Sequence, residues 1–270
     1  MFIKYSFPLF VLIALVVSSC SDYNKVVKGD DYQRKFELAN QLYDEKDYLR
    51  SVTLFEQVYQ RVPKTNEGEL SYFRIGKSYY ETGDFEMAGY YLGSFPQRFP
   101  YSVKSQESLF LSALCSVNNS PEHSLDQNET ELAINNLQQF VNTYPESELV
   151  DSCNRVMDRL RLKLERKDFD GVKLYAKTEN YRAAVTTALA FMEDYPLSKY
   201  KEEVNYILVK NSYLLAVNSV ENKKCDRIEE SIERYNTFAS DFPGSVHKVE
   251  LDNISDKLHK DLQEFCSKKK

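Results

Sequence analysis

The sequence predicts an all-α protein, a superhelical solenoid of five helix pairs with a C-terminal capping helix. Three observations carry this expectation. A stretch of the form F-x-x-x-[FY]-P-x-S occurs at Phe95–Ser102, Phe140–Ser147, Phe191–Ser198 and Phe238–Ser245, with a weaker copy at Val58–Thr65. In each copy two apolar residues four apart lie on one helix face, and the proline cannot continue the hydrogen-bond ladder, so the stretch reads as a helix ending. The Ser or Thr two residues later is expected to cap the next helix, a contribution of about 1 kcal/mol. A repeat recurring along most of the 270-residue chain favours one elongated unit over two separate globular domains. Only 8 Gly and 8 Pro exclude a glycine-rich or disordered body.

Composition narrows the functional classes. Charged residues are 28% and hydrophobic residues 42%, which fits a soluble body rather than a membrane-spanning one. A formal net charge of −6 argues against a nucleic-acid binder, which needs a basic excess on its binding face. With 20 Tyr, 16 Phe and no Trp, the helix contacts are expected to be built from medium-sized aromatics.

The first residues have a different character. Met1–Ser19 carries Lys4 and then an unbroken apolar run from Leu9 to Val17, the pattern of a secretion signal and too short for a spanning helix. It ends in Val17-Ser18-Ser19-Cys20, which resembles the lipobox of bacterial lipoproteins. That resemblance implies lipidation at Cys20, and Ser21 rather than Asp in the next position implies the outer membrane. Acyl chains would then hold the body at a membrane surface. Residues 20–31 read as a polar tether without helical period.

The repeats follow, at about 32–63, 69–100, 102–145, 148–196 and 198–243, with the capping helix at 246–266. The second carries Tyr72, Ile75, Gly76, Tyr79, Ala88, Leu92, Phe95 and Pro100, which matches the tetratricopeptide pattern at its signature positions. Gly76 and Ala88 are small because the two helices of a pair cross there. The first repeat agrees at Leu38, Ala39, Leu42, Ser51, Phe55, Val58 and Pro63, with Lys35 standing where an apolar residue is usual. Pro63, Pro100, Pro145, Pro196 and Pro243 lie 37, 45, 51 and 47 residues apart, so the later repeats contain insertions. They are expected as a loop at Asn118–Thr130, a long helix from about Glu148 to Ala176, and extra loop at about Asn218–Lys224. The final helix is expected to cover the last repeat with Val249, Ile254, Leu258, Leu262 and Phe265.

Catalytic and cofactor patterns do not occur: there is no phosphate loop, no His-Glu-x-x-His, no CxxC pair and no Gly-x-Ser-x-Gly. His123, His247 and His259 are too scattered for a shared ligand face, and no cofactor or metal is expected. The chain reads as a binding protein rather than an enzyme, since stacked helix pairs supply a concave groove and a convex back.

The strings Leu160–Val185 and Tyr195–Ser219, with the turn Y-P-x-S-x-Y-x-E-E at Tyr195–Glu203, resemble the BamD family, outer-membrane lipoproteins of the β-barrel assembly machine. The likeness covers essentially the whole mature chain. It implies a lipid-anchored factor with its body in the periplasm. Its implied partners are a barrel-inserting subunit with periplasmic repeat domains and unfolded outer-membrane proteins. Lys210, where a small residue is usual, and the inserted loops depart from the pattern. The alternative is a tetratricopeptide lipoprotein that scaffolds another envelope complex, for cell-wall synthesis or secretion. A chaperone adaptor fits poorly, because Phe36 occupies the leading Lys position of its carboxylate clamp and leaves only Asn40.

Three sets of residues are candidates for sites. In tetratricopeptide folds first helices line the groove, which points to Phe36, Asn40, Tyr43, Phe73, Lys77 and Tyr80 as a surface for extended aromatic-rich clients. The competing reading is that these side chains pack against the N-terminal segment or the third repeat through Phe110. Arg155, Arg159, Lys163 and Lys167 recur every four residues on the long helix, within a span holding nine basic and five acidic residues. They are either a docking face for an acidic partner or a solvated surface balanced by Asp158 and Glu165, and the sequence leans to the second. Cys225 and Cys266 lie 18 residues before and 23 after Pro243, roughly 27–35 Å from the turn on each helix. They could meet in a disulfide, although two separate thiols are the preferred reading; Cys115 and Cys153 read as core.

Overall fold

The structure, a computed structural model, describes residues 22–266. Among these residues every regular element is helical. The helices are α1 (Tyr32–Asp44), α2 (Tyr48–Arg61), α3 (Asn66–Thr82), α4 (Phe85–Arg98), α5 (Ser105–Asn119) and α6 (Asn128–Thr143). They continue with α7 (Val150–Lys177), α8 (Tyr181–Asp194), α9 (Lys201–Val217), α10 (Glu221–Asp241) and α11 (Lys248–Asp261), which a π-helical turn extends over Leu262–Cys266. Consecutive helices pair through short turns, as the tetratricopeptide pattern requires. The chain divides into two compact units, up to Asp158 and from Arg159 onward.

The recurring motif closes each helix in the same way. Phe99, Tyr144, Tyr195 and Phe242 donate their N–H to the carbonyls of Phe95, Phe140, Phe191 and Phe238, at 2.8–2.9 Å. The serine then works differently from the expected cap. Its N–H bonds back to the aromatic carbonyl, and its Oγ accepts from the N–H two residues on, as in Ser102 to Lys104 and Ser198 to Tyr200. This is an ST turn ahead of the helix, and the N-cap positions Lys104, Tyr200 and His247 make no side-chain cap bond. Thr65 in the weaker first copy is the member that caps, accepting from Gly68 N–H. Asp31 caps the start of α1, and inside the pairs Asp47, Asp84 and Asn180 supply the caps.

In the first unit, Ala39, Leu42, Leu54, Phe55 and Ile75 form one core cluster, and Tyr72, Phe73, Ala88, Leu92, Phe95 and Cys115 another. A Cβ placed on Gly76 would lie 2.8 Å from Leu92 Cγ and 3.1 Å from Tyr91 Cβ, so this crossing admits only glycine without movement. Pro96 lies inside α4 and cannot donate to the carbonyl of Leu92. Ser108 of α5 takes that place, donating Oγ–H to the same oxygen at 2.7 Å.

The stretch read as a tether is helical over 22–28. Tyr23, Val26 and Val27, at helical spacing, pack on the first cluster, and Tyr23 Oη donates to Arg50 O. Lys35 explains its own oddity here: it is 4% exposed, and its ammonium donates to Val27 O and Gln57 Oε1 while lying 5.0 Å from the Tyr32 ring. The apolar stem fills the usual position and the head ties down the N-terminal turn.

In the second unit, Phe169, Val172, Val185, Ala188, Phe191, Val204 and Leu208 form one core, and Val209, Ala216, Ile228, Phe238, Leu251 and Leu258 another. Two expectations about the helices are corrected. The extra residues of the fifth repeat lengthen α10 to 21 residues instead of forming a loop, and only Asn218–Val220 separate it from α9. On α11 the buried stripe is Leu251, Ile254, Ser255 and Leu258; Val249 is 74% exposed because it falls off that stripe's 3.6-residue period, and Phe265, in the π-helical turn where that period no longer holds, also faces outward. Cys225 and Cys266 form a disulfide with Cα atoms 5.6 Å apart, so the preference for separate thiols is overturned. The spacing measured only equal distances from the turn, whereas the π-helical turn brings Cys266 back onto α10. Lys224, beside Cys225, lies 4.0 Å over the Phe265 ring.

A candidate binding face on the first helices

The face expected to bind clients lies on α1 and α3. Its residues stand at i, i+4 and i+7: Phe36, Asn40 and Tyr43 on α1, and Phe73, Lys77 and Tyr80 on α3. The structure separates them into two groups. Phe73 is 5% exposed and stacks edge-on against Phe95 at 5.4 Å, so it belongs to the core and offers no groove surface. The premise that Leu38, Leu42, Ile75 and Tyr79 already account for packing therefore fails at this position. Phe36 and Tyr43 are half-buried, each with an edge contact to Phe55 at 6.4 Å, and Tyr80 meets Phe85 at 5.6 Å.

The remaining side chains form a polar ladder. Asn40 Nδ2 donates to Phe36 O, and its Oδ1 accepts from Arg74 at 2.6 Å. Arg74 lies 4.5 Å over the Tyr43 ring and 3.7 Å from Asp44. Lys77 donates to Glu107 at 2.8 Å, joining α3 to α5, and lies 5.5 Å over Phe73. Burial works to lower the Lys77 pKa, but the Glu107 hydrogen bond and the nearby Tyr43 outweigh it and the net direction is upward. Burial raises the Tyr43 phenol. The face carries the Arg74 and Lys77 cations beside aromatic rings. These can accept carboxylates or backbone carbonyls of an extended segment and offer ring surface to its side chains. Arg74 was missed by sequence reasoning. It sits next to Phe73, one position off the expected face, and contacts between neighbouring first helices run diagonally.

On α7 the four basic candidates keep their spacing. Arg155 and Arg159 are exposed, Lys163 and Lys167 are intermediate, and burial lowers the Lys163 pKa. Cys153, Val156 and Leu160 of the adjacent stripe are buried. Cys20 and the signal segment lie outside the described residues. Among the described residues no group of three or more His, Cys, Asp or Glu could hold a metal ion, and no helix is long and apolar enough to cross a membrane. His247 stacks on Tyr206 at 4.0 Å.

Serial helix pairs with a small-residue crossing at Gly76 define a helical-repeat protein of tetratricopeptide type. A family model described as outer membrane lipoprotein, YfiO, matches residues 29–188. The chain belongs to this family of outer membrane lipoproteins, which places it at the outer membrane with its helical body in the periplasm. Two relatives, from Pasteurella multocida strain Pm70 and Caulobacter vibrioides, are both named outer membrane protein assembly factor BamD. The first is 20% identical over 201 residues, covering 71% of this chain and 77% of the relative. The second is 23% identical over 213 residues, covering 77% and 70%. A crystal structure of a thermophilic tetratricopeptide protein from Thermus thermophilus aligns over 83% of this chain and 98% of its own, at 15% identity and a TM-score of 0.32. The fold assignment rests on the helix pairs themselves.

Proposed function

We propose that this chain is a non-enzymatic assembly factor of the outer membrane, anchored through lipid at Cys20. It holds a barrel-inserting subunit with periplasmic repeat domains and receives unfolded outer-membrane proteins. The observation that carries the proposal is the family match across residues 29–188, the span of the first three helix pairs and most of the fourth. The names of the two relatives support it. Within that span the ladder of Asn40, Arg74, Lys77 and Tyr43 is the client face. The Arg155, Arg159, Lys163 and Lys167 side of α7 is the docking face for an acidic partner surface.

Depletion of the chain tests the function. It should lower the amount of heat-modifiable, folded β-barrel protein in the outer membrane before it alters cell-wall synthesis or secretion; the reverse order would favour the other envelope scaffold. For the client face, Arg74→Ala with Lys77→Ala should weaken binding of a peptide copied from a barrel protein's last strand about tenfold, with helicity retained. Equal affinity in the folded double variant would move the client site elsewhere.

A further inference from the structure

Of the charged side chains among the described residues only Lys35 and Glu165 are buried, and Lys35 lies at a cleft. This cleft, of about 370 Å³, is walled by Lys28 and Asp30 from the N-terminal segment, Tyr32 and Lys35 from α1, and Gln57 and Arg61 from α2. An ammonium has three N–H donors. Lys35 gives one to Val27 O and one to Gln57 Oε1, both uncharged acceptors, and the third has no hydrogen-bond acceptor among the described residues.

The charge of the cleft is equally unmatched. Neither Lys35 nor its neighbours Lys28 and Arg61 pairs with a carboxylate among the described residues, and Asp30 makes no ion pair there. Lys35 and Arg61 lie instead 5.0 and 5.7 Å from the centre of one ring, that of Tyr32. Three cations thus face one acid in a chain whose net charge is −6. Like charges gathered on one ring repel, and a buried cation is ordinarily matched by an anion. With none supplied by the chain, the walls fit a phosphate group: the lysines offer point charges and Arg61 a planar fork to its oxygens.

The position of the cleft in the chain points to the source of that phosphate. Residues 22–28 are helical, and Lys28 follows Cys20 by eight residues. At about 1.5 Å per helical residue and at most about 3.6 Å for each of the others, this wall of the cleft stays within about 20 Å of Cys20. We propose that the cleft holds the phosphate of an anionic phospholipid headgroup. The proposal rests on the lipid anchor at Cys20 for bringing the cleft to a membrane, and not for the site itself. A bound headgroup would give the first helix pair a second hold on the bilayer surface beside the acyl chains.

The test places the full chain in maltoside micelles doped with phosphatidylglycerol or with zwitterionic phosphatidylcholine and follows acylation of its lysines by mass spectrometry. Lys28 reports on the cleft; Lys25, in the same helical segment but outside the cleft, reports on general attraction to the micelle. Phosphatidylglycerol should slow acylation of Lys28 about fivefold or more relative to phosphatidylcholine and leave Lys25 unchanged. Arg61→Gln, at an exposed position ending α2, should remove the protection with helicity retained. No slowing, equal slowing of both lysines, or protection that survives Arg61→Gln would overturn the proposal. Protection by inorganic phosphate in undoped micelles equal to that by the lipid would also overturn it, since the occupant would then be a free anion. The footprint needs no acyl chain on the protein, so its failure is distinct from failure of the anchor, which shows as retention of Cys20→Ala on vesicles.

Discussion

Replacing Gly76 with alanine tests the crossing between α3 and α4 on which the second helix pair depends. In an unconstrained helix the change stabilises by about 1 kcal/mol, because glycine is the poorer helix former. Here the new methyl would sit 2.8 Å from Leu92 Cγ, 3.0 Å from Leu92 Cδ2 and 3.1 Å from Tyr91 Cβ. Two of these atoms are close to the α4 backbone, so no side-chain end can swing clear and the helix itself must shift. Overpacking of this kind costs about 1–3 kcal/mol, which leaves a net loss of up to about 2 kcal/mol once the propensity gain is subtracted. Leu92→Ala alone removes a fully buried side chain and should cost about 2–5 kcal/mol. In the double variant the added methyl occupies part of the space that Leu92 leaves. Its loss should fall short of the sum of the single losses by about 1 kcal/mol or more. Urea unfolding followed by circular dichroism measures all three. A Gly76→Ala chain more stable than the parent by about 1 kcal/mol, or strict additivity in the double variant, would refute the close crossing.

Three further outcomes follow from the structure. Breaking the Cys225–Cys266 bond, which closes a separation of 41 residues, should cost about 4 kcal/mol in the chain-entropy model and fray α11 first; hydrogen exchange of Cys225→Ser against the parent measures this. Burial pushes the Cys115 thiol up to about 12 and raises Cys153 as well, so native chains should resist alkylation of both at pH 8 and accept it in urea. Because the folded pKa of Cys115 lies above its unfolded value near 9, its contribution is complete below pH 9 and declines as pH rises toward 12. Cys115→Ala should flatten that part of the stability profile. Cys20→Ala should release the chain from outer-membrane vesicles after a salt wash, and continued partition would exclude lipid as the anchor.

The fold was largely written in the recurring motif. Aromatic residues four apart followed by proline and serine mark every pair boundary from Phe95 onward, and the small residues at Gly76 and Ala88 mark a crossing. What local pattern could not give was the use made of each polar group. Serine after proline looks like a helix cap, but the backbone first completes a tight turn, and its hydroxyl is taken up there. Tyr23, Val26 and Val27 escaped notice as a helix because seven residues give too little period to stand out beside charged neighbours. Phe73 was mistaken for surface because sequence spacing cannot distinguish a groove-facing ring from one that leans onto the partner helix. Arg74 was invisible for the complementary reason: its importance lies in Asn40 and Tyr43, residues from the previous repeat.

Co-isolation from envelopes in mild detergent tests the proposed role most directly. The lipidated chain, tagged and extracted from the outer membrane, should bring with it a β-barrel subunit carrying repeated periplasmic domains. Arg159→Glu with Lys163→Glu should reduce that recovery and its salt dependence while the helical content stays unchanged. Recovery of cell-wall or secretion components without any β-barrel subunit would contradict the assembly role.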